Sequence, residues 1–304
     1  MPSPRFAGIL PAFPTPTTAD ATVDEPALRQ LLRFLLGAGV DGLVPVGGTG
    51  EYTALSRAAR RQVVAVSVEE ARAKTPRVPV IAGVLSPGFA EAVQAGRDFA
   101  EAGADALLLI TPFYVTPTQT GIADYFRAYH RQVNLPILYY DIPGRTRLVT
   151  APETLAALAQ DGTIVGMKAC NVDVDHFNRT VRLVPEGFAL LSGEDTHYPA
   201  HMALGASGGI LASAALLPHF WLRVHALARQ GDFAAAAREQ RRLIPFFETI
   251  FAECNPGPLK AAMAMAGLAC GSALPPLGPP GPALHARLAA ALGALRRDGL
   301  LVDA

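Results

Sequence analysis

Charge is scarce in this chain and neither sign prevails. Asp, Glu, Lys and Arg make up 17% of the 304 residues, with 26 cations against 26 anions. Without a basic surplus there is nothing to hold a phosphate backbone or an anionic leaflet, so neither nucleic acid nor a membrane is an expected partner. Cysteine is scarcer still. Cys170, Cys254 and Cys270 are odd in number, far apart and form no C-x-x-C pair, which argues against a disulfide framework and suits a reducing compartment. The longest weakly polar run, residues 205–217, is too short and glycine-rich to span a bilayer. Residues 1–6 lack the basic-then-apolar order of a signal peptide. These absences predict a cytoplasmic protein. Half of the residues are hydrophobic, which excludes disorder and supplies a large core.

What is present repeats. Eight short apolar runs begin at Gly8, Gly42, Val78, Ala106, Pro136, Ile164, Ala189 and Gly208. Their starts are roughly 30 residues apart, the length of a strand and its crossover helix. The runs are apolar throughout and do not alternate, as parallel strands buried on both faces require. The pattern predicts an α/β fold, a (β/α)8 TIM barrel with additional C-terminal helices. Residues 1–215 form the expected barrel core, and residues 216–304 the last barrel helix and a C-terminal helical extension of the same domain. Within that extension, helices are expected over 232–251, 258–266 and 282–297, with a Pro/Gly loop over 274–282.

In such a barrel, reactive groups gather at the C-terminal strand ends. Here those ends read Gly47-Gly48-Thr49-Gly50-Glu51, Thr111-Pro112-Phe113-Tyr114, Tyr140-Asp141-Ile142-Pro143-Gly144-Arg145, Lys168, and Ser192-Gly193-Glu194-Asp195. Lysine is the rarest cation, at three residues (Lys74, Lys168, Lys260), and Lys168 lies inside an apolar run. An amine condenses with a ketone and a guanidinium does not; burial is expected to lower its pKa toward the nucleophilic form. The alternative is an ammonium that reaches solvent at the barrel mouth. The turn at 47–51 is either an ordinary glycine turn or a concave anion site, with Thr49 adding a donor. It has neither the Lys-Ser/Thr pair of a P-loop nor a G-x-G-x-x-G pattern. Tyr140 reads as a wall aromatic or as a proton carrier. Arg145 reads as a solvated charge or as a bidentate clamp for a carboxylate. His197 and His201 share a helical spacing, but Pro199 stands between them and no third ligand is marked, so no metal is expected. Cys170 shares a strand face with Lys168 and reads as a small buried residue.

Taken together, Gly47-Gly48-Thr49-Gly50-Glu51, Tyr140 with Ile142-Pro143, Gly166-Met167-Lys168 and Ser192-Gly193-Glu194-Asp195 resemble the dihydrodipicolinate synthase and N-acetylneuraminate lyase family over nearly the full chain. The resemblance implies a Schiff-base lyase or synthase, with Lys168 forming an iminium with pyruvate or a longer 2-keto acid and no cofactor. It further implies Tyr140 as general acid/base and Tyr114 as a proton relay. Gly48, Thr49 and Gly50 would hold the keto-acid carboxylate, Arg145 the carboxylate of a second substrate such as an aldehyde, and Ile210 would complete the substrate wall. The family implies a homo-oligomer, a tetramer. Two departures bear on the substrate: Gly48 replaces a hydroxyl-bearing Thr of the synthases, and Ala169-Cys170 replaces their Glu-Ala after the lysine. Gly48 points to a second reading within the family, a 2-keto-3-deoxy sugar-acid aldolase or dehydratase, and a separate class of reading is a barrel that binds a keto acid without turnover.

Overall fold

The apolar runs become strands because each is too short for a helix and is apolar on both faces. The computed structural model describes residues 6–301. Seven parallel strands lie in the order β1-β7-β6-β5-β4-β3-β2 among the described residues. They are β1 (Gly8–Pro11), β2 (Ile81–Val84), β3 (Ala106–Ile110), β4 (Ile137–Asp141), β5 (Gly166–Ala169), β6 (Ala189–Ser192) and β7 (Gly208–Leu211), and every residue in them is buried.

The run at 42–46 differs from expectation. It forms no ladder, only parallel bridges from Val44 to Ala12 and from Leu43 to Val80. The Leu43 N–H donates to Pro79 O (2.9 Å), the Val44 N–H to Pro11 O (3.0 Å), and Leu43 O accepts from the Ile81 N–H (2.9 Å). The segment thus joins β1 to β2 and completes the ring. It stops there because Pro45 has no N–H to donate and Val46 turns into the left-handed region (φ 49°). The architecture is the (β/α)8 barrel, with seven staves as ladders and the eighth as a bridged segment.

The helices that wrap the sheet are α1 (Glu25–Ala38), α2 (Arg57–Ala73), α3 (Phe89–Glu101), α4 (Gln119–His130), α5 (Pro143–Thr146), α6 (Pro152–Gln160), α7 (Val174–Leu183), α8 (Tyr198–Ala203) and α9 (Pro218–Arg229). After them come α10 (Phe233–Arg241), α11 (Ile244–Ile250), α12 (Gly257–Met265) and α13 (Pro282–Arg297). Local chemistry sets the ends of α1. Asp24 accepts from the Ala27 N–H (3.0 Å), and Gly39 ends the helix with φ 91°. Leu28, Leu31, Leu32 and Leu35 make its buried stripe. The single helix expected over 232–251 is instead two, α10 and α11. Pro245 lies in the first turn of α11, where its missing N–H costs nothing, and it cannot prolong α10. No helix of the described residues is long and apolar enough to cross a membrane.

The C-terminal helices are pinned to the glycine turn at 47–51. Glu51, almost wholly buried, receives the Leu274 N–H (2.6 Å) and the Lys260 ammonium from α12 (2.5 Å). Lys260 also donates to Ser272 O (3.1 Å). An ion pair removed from water this completely holds only with further hydrogen bonds, and Ser272 O, the Thr17 hydroxyl and the Leu274 N–H contribute them.

Candidate active site

The turn after the eighth stave exists because glycines let two backbones meet. A Cβ on Gly83 would lie 2.7 Å from the Gly47 Cα, and one on Gly50 would lie 2.6 Å from the Val46 nitrogen. Close packing at Gly83 therefore seats the turn on β2. The Thr15 hydroxyl holds its far side by donating to Gly50 O (2.7 Å). Thr49 is left facing a cavity of about 450 Å³ at the C-terminal end of the sheet.

Gly48, Thr49, Tyr140, Arg145 and Lys168 all line that cavity. Tyr140 and Lys168 are register partners on β4 and β5, so their side chains leave the sheet together on its inner face. The Lys168 ammonium sits 4.7 Å from the centre of the Tyr140 ring, and both residues are buried. Arg145 is carried at the rim by the short α5 turn, and its guanidinium reaches Cys254 Sγ at 3.6 Å.

Three predicted site residues stand elsewhere. Gly50 is buried under the turn and does not line the cavity. Tyr114 is 98% exposed, because its left-handed backbone (φ 77°) swings the phenol away from its own barrel. Ile210 is fully buried inside the sheet, and Ala212, two positions further along the chain, forms the wall in its place.

The C-terminal extension does more than pack on the barrel. The turn between α11 and α12 supplies Phe251, Cys254 and Asn255 to the cavity wall, and the Asn255 amide donates to Thr49 Oγ1 (2.9 Å). Nothing local in the sequence marks Asn255; the signal is only that Asn-Pro breaks two helices. A second cavity of about 350 Å³ adjoins the first, sharing Gly48, Arg145, Cys254 and Asn255, with Leu85, Ile110, Phe113 and Leu274 among its walls. A Cβ on Gly48 would meet only the Tyr140 hydroxyl, at 3.8 Å.

Burial sets the electrostatics, and neighbours modify it. The Tyr140 phenol is pushed up by burial and pulled back by Lys168. Burial pulls the Lys168 ammonium down, but Tyr140, Cys170 and Glu194 together act more strongly in the other direction, and the amine ends above its ordinary range. This corrects the expectation of a lowered amine, which counted burial alone. Glu194, which also lines the cavity, is raised to about 6 by burial and by Asp195, with Lys168 opposing. Burial likewise raises the Cys170 thiol, which donates to Gly193 O (3.3 Å).

Asp195 has a different task. Its carboxylate accepts the Ser213 N–H (2.9 Å) and the Ser213 hydroxyl, and that hydroxyl oxygen in turn accepts the Trp221 indole N–H (2.8 Å). The two histidines do not meet as ligands. His201 pairs with the Ser192 hydroxyl (2.9 Å), stacks on Phe177 and is lowered to about 4 by burial. Among the described residues no group of three or more His, Cys, Asp or Glu is arranged to hold a metal ion.

A lysine, a phenol and a glycine turn bearing Thr49 in one pocket are the kinds of group that carbonyl condensation uses. A model of the dihydrodipicolinate synthetase family matches residues 5–294. The chain belongs to that family. A 4-hydroxy-tetrahydrodipicolinate synthase of Acidiphilium cryptum is 37% identical over 290 residues, covering 95% of this chain and 98% of the relative. One from Methanopyrus kandleri is 37% identical over 275 residues, covering 90% and 91%. The dihydrodipicolinate synthase structure from Aquifex aeolicus superposes with a TM-score of 0.91 at 31% identity, over 98% of this chain and all of that one. The Acinetobacter baumannii enzyme, complexed with pyruvate, gives 0.90 at 31% identity over 97% and 99%. The chain is accordingly an enzyme of the class I aldolase type, a dihydrodipicolinate synthase-like Schiff-base lyase or synthase acting on a 2-keto acid.

Proposed function

We propose that Lys168 is the Schiff-base lysine and that the reaction condenses pyruvate with an aldehyde bearing its own carboxylate, aspartate semialdehyde being the reading the relatives favour. The observation that carries it is the pairing of the Lys168 ammonium with the Tyr140 ring across one register pair, above a Thr49 held by Asn255. The resting ammonium must lose a proton before it attacks. Glu194, poised near neutrality and facing Lys168, accepts it. The amine then adds to the C2 carbonyl of pyruvate, and Tyr140 delivers the proton that lets the oxygen leave as water. Loss of a C3 proton from the iminium gives an enamine, whose carbon attacks the aldehyde. The aldehyde oxygen takes up a proton as the new carbon–carbon bond forms, and attack at C2 by water or by the acceptor's amine frees Lys168. Thr49 with the neighbouring N–H groups holds the pyruvate carboxylate, and Arg145 receives that of the aldehyde.

Pyruvate with borohydride should leave a stable adduct on Lys168 and none in Lys168→Arg; a label on Lys74 or Lys260 would sink the mechanism. A second reading, cleavage or dehydration of a 2-keto-3-deoxy sugar acid, is favoured by the bare Gly48 and the space beside it. Side-by-side kcat/KM for aspartate semialdehyde and 2-keto-3-deoxygluconate, in wild type and Gly48→Thr, separates the two. We propose further that the chain works as a homotetramer, in which the outward phenol of Tyr114 serves a neighbouring copy's site.

A further inference from the structure

Outside the catalytic cavity, one buried titratable cluster has no part in the reaction. Asp141 ends β4 one residue after Tyr140 and is 1% exposed, yet neither carboxylate oxygen meets a hydrogen-bond partner. His176, on α7 and 6% exposed, faces it with Nδ1 3.9 Å from Oδ2. The other ring nitrogen, Nε2, lies 2.7 Å from the Thr150 carbonyl oxygen. Asp141 and Thr150 bound the segment 142–150, and Arg145 rides in the middle of that segment on α5. One imidazole therefore touches both ends of the loop that carries the rim arginine. The Tyr139 hydroxyl fixes the same Thr150 through its Oγ1, and the Thr146 hydroxyl stiffens the loop from within by donating to Ile142 O (3.1 Å) and Leu148 O (3.3 Å).

The hydrogen bond to Thr150 also fixes the tautomer. A carbonyl oxygen can only accept, so Nε2 carries a proton, and a neutral His176 would then aim a bare Nδ1 lone pair at Asp141. A carboxylate facing that lone pair is repelled. The pair is stable when the carboxyl carries a proton that it can present to Nδ1. Burial raises Asp141 to about 6, against the pull of His176 and the nearby Asn171 amide, so the carboxyl keeps its proton up to about pH 6. The other titratable groups that face Asp141 are Tyr139 on its own strand and Cys170 at the end of β5.

From this we infer that Asp141 and His176 are positioning residues, a proton-sharing staple across the 142–150 loop that holds Arg145 where the second substrate's carboxylate docks. The inference rests on the reading of Arg145 given above. It predicts that the KM for aspartate semialdehyde rises about tenfold as the pH passes upward through about 6 and the shared proton leaves, on top of the pH dependence that Glu194 gives to kcat and pyruvate trapping. Asp141→Asn should abolish that rise, because its amide can donate to the bare Nδ1 without the extra proton. His176→Phe should show the high KM at every pH.

The same wild type and variants, read by hydrogen–deuterium exchange of residues 142–150 at matched pH, test the staple without any substrate. Slow exchange in Asp141→Asn and fast exchange in His176→Phe at every pH, with the wild type passing from slow to fast as pH rises, support it. Identical KM pH profiles in wild type and Asp141→Asn, or a pyruvate trapping rate that differs between these two proteins as the aldehyde KM does, overturn it. If Arg145→Ala leaves the aldehyde KM unchanged, the reading of Arg145 falls, while the exchange measurement still decides the staple.

Discussion

Replacing Lys260 with Met removes the ammonium from a pair whose partner, Glu51, is as deeply buried as the lysine. The carboxylate keeps only the Leu274 N–H, and a buried charge stripped of its counter-ion costs about 3–5 kcal/mol. For a domain of this size, each kcal/mol moves the thermal midpoint by about 2 °C, so Lys260→Met should melt about 6–10 °C below wild type. The double variant Glu51→Gln/Lys260→Met should recover most of that loss. It buries no charge, and the Gln oxygen can still accept from Leu274. Because Glu51 closes the turn that presents Thr49, the single variant should also raise the KM for pyruvate. Scanning calorimetry of the three proteins, with borohydride trapping as the readout of the turn, decides the matter. A midpoint shift under about 2 °C in Lys260→Met, or a double variant no better than the single, would refute the claim that the ion pair holds the turn.

Tyr140→Phe should slow turnover by about 100-fold or more while the borohydride-trapped fraction at saturating pyruvate changes little, as removal of a proton carrier requires; equal kcat would take Tyr140 out of the mechanism. Arg145→Ala should raise the KM for aspartate semialdehyde by about 10- to 100-fold, the value of one charged hydrogen bond, and leave an uncharged aldehyde unaffected; a uniform loss would speak against a carboxylate contact. For Glu194, the carboxylate form accepts the lysine proton, so wild-type activity should rise with pH through about 6. In Glu194→Gln that acid limb should vanish along with much of the rate, and a pH profile that keeps the limb would assign it to another group.

The barrel was legible because burial on both faces writes itself as unbroken apolar runs, and eight of them at helix-plus-strand intervals leave few other folds. The eighth stave was misjudged in form, since Pro45 and the backbone turn at Val46 matter to hydrogen bonding and not to hydropathy. The same blindness merged α10 and α11 across Pro245. At the site, strand position put Lys168 and Tyr140 at the barrel mouth but left their roles open, and the register brings the two together in the cavity. Tyr114 was not, because its orientation hangs on one left-handed residue. Asn255 is 206 positions from the Thr49 it holds, and no local pattern carries such a contact. The sign of the Lys168 shift depends on Tyr140 and Glu194, contributed by the staves on either side, as well as on the adjacent Cys170, so it could not be read from the stretch around the lysine alone.

The chain has one tryptophan. Its indole is wholly buried and donates to the Ser213 hydroxyl, which in turn donates to Asp195, the neighbour of the cavity carboxyl Glu194. Any change of charge in the pocket is thus two hydrogen bonds away from a single fluorophore. Emission from Trp221 should therefore shift when a keto acid enters and again when the iminium forms. The enzyme carries its own optical reporter, and stopped-flow fluorescence can follow the first half-reaction with no label attached.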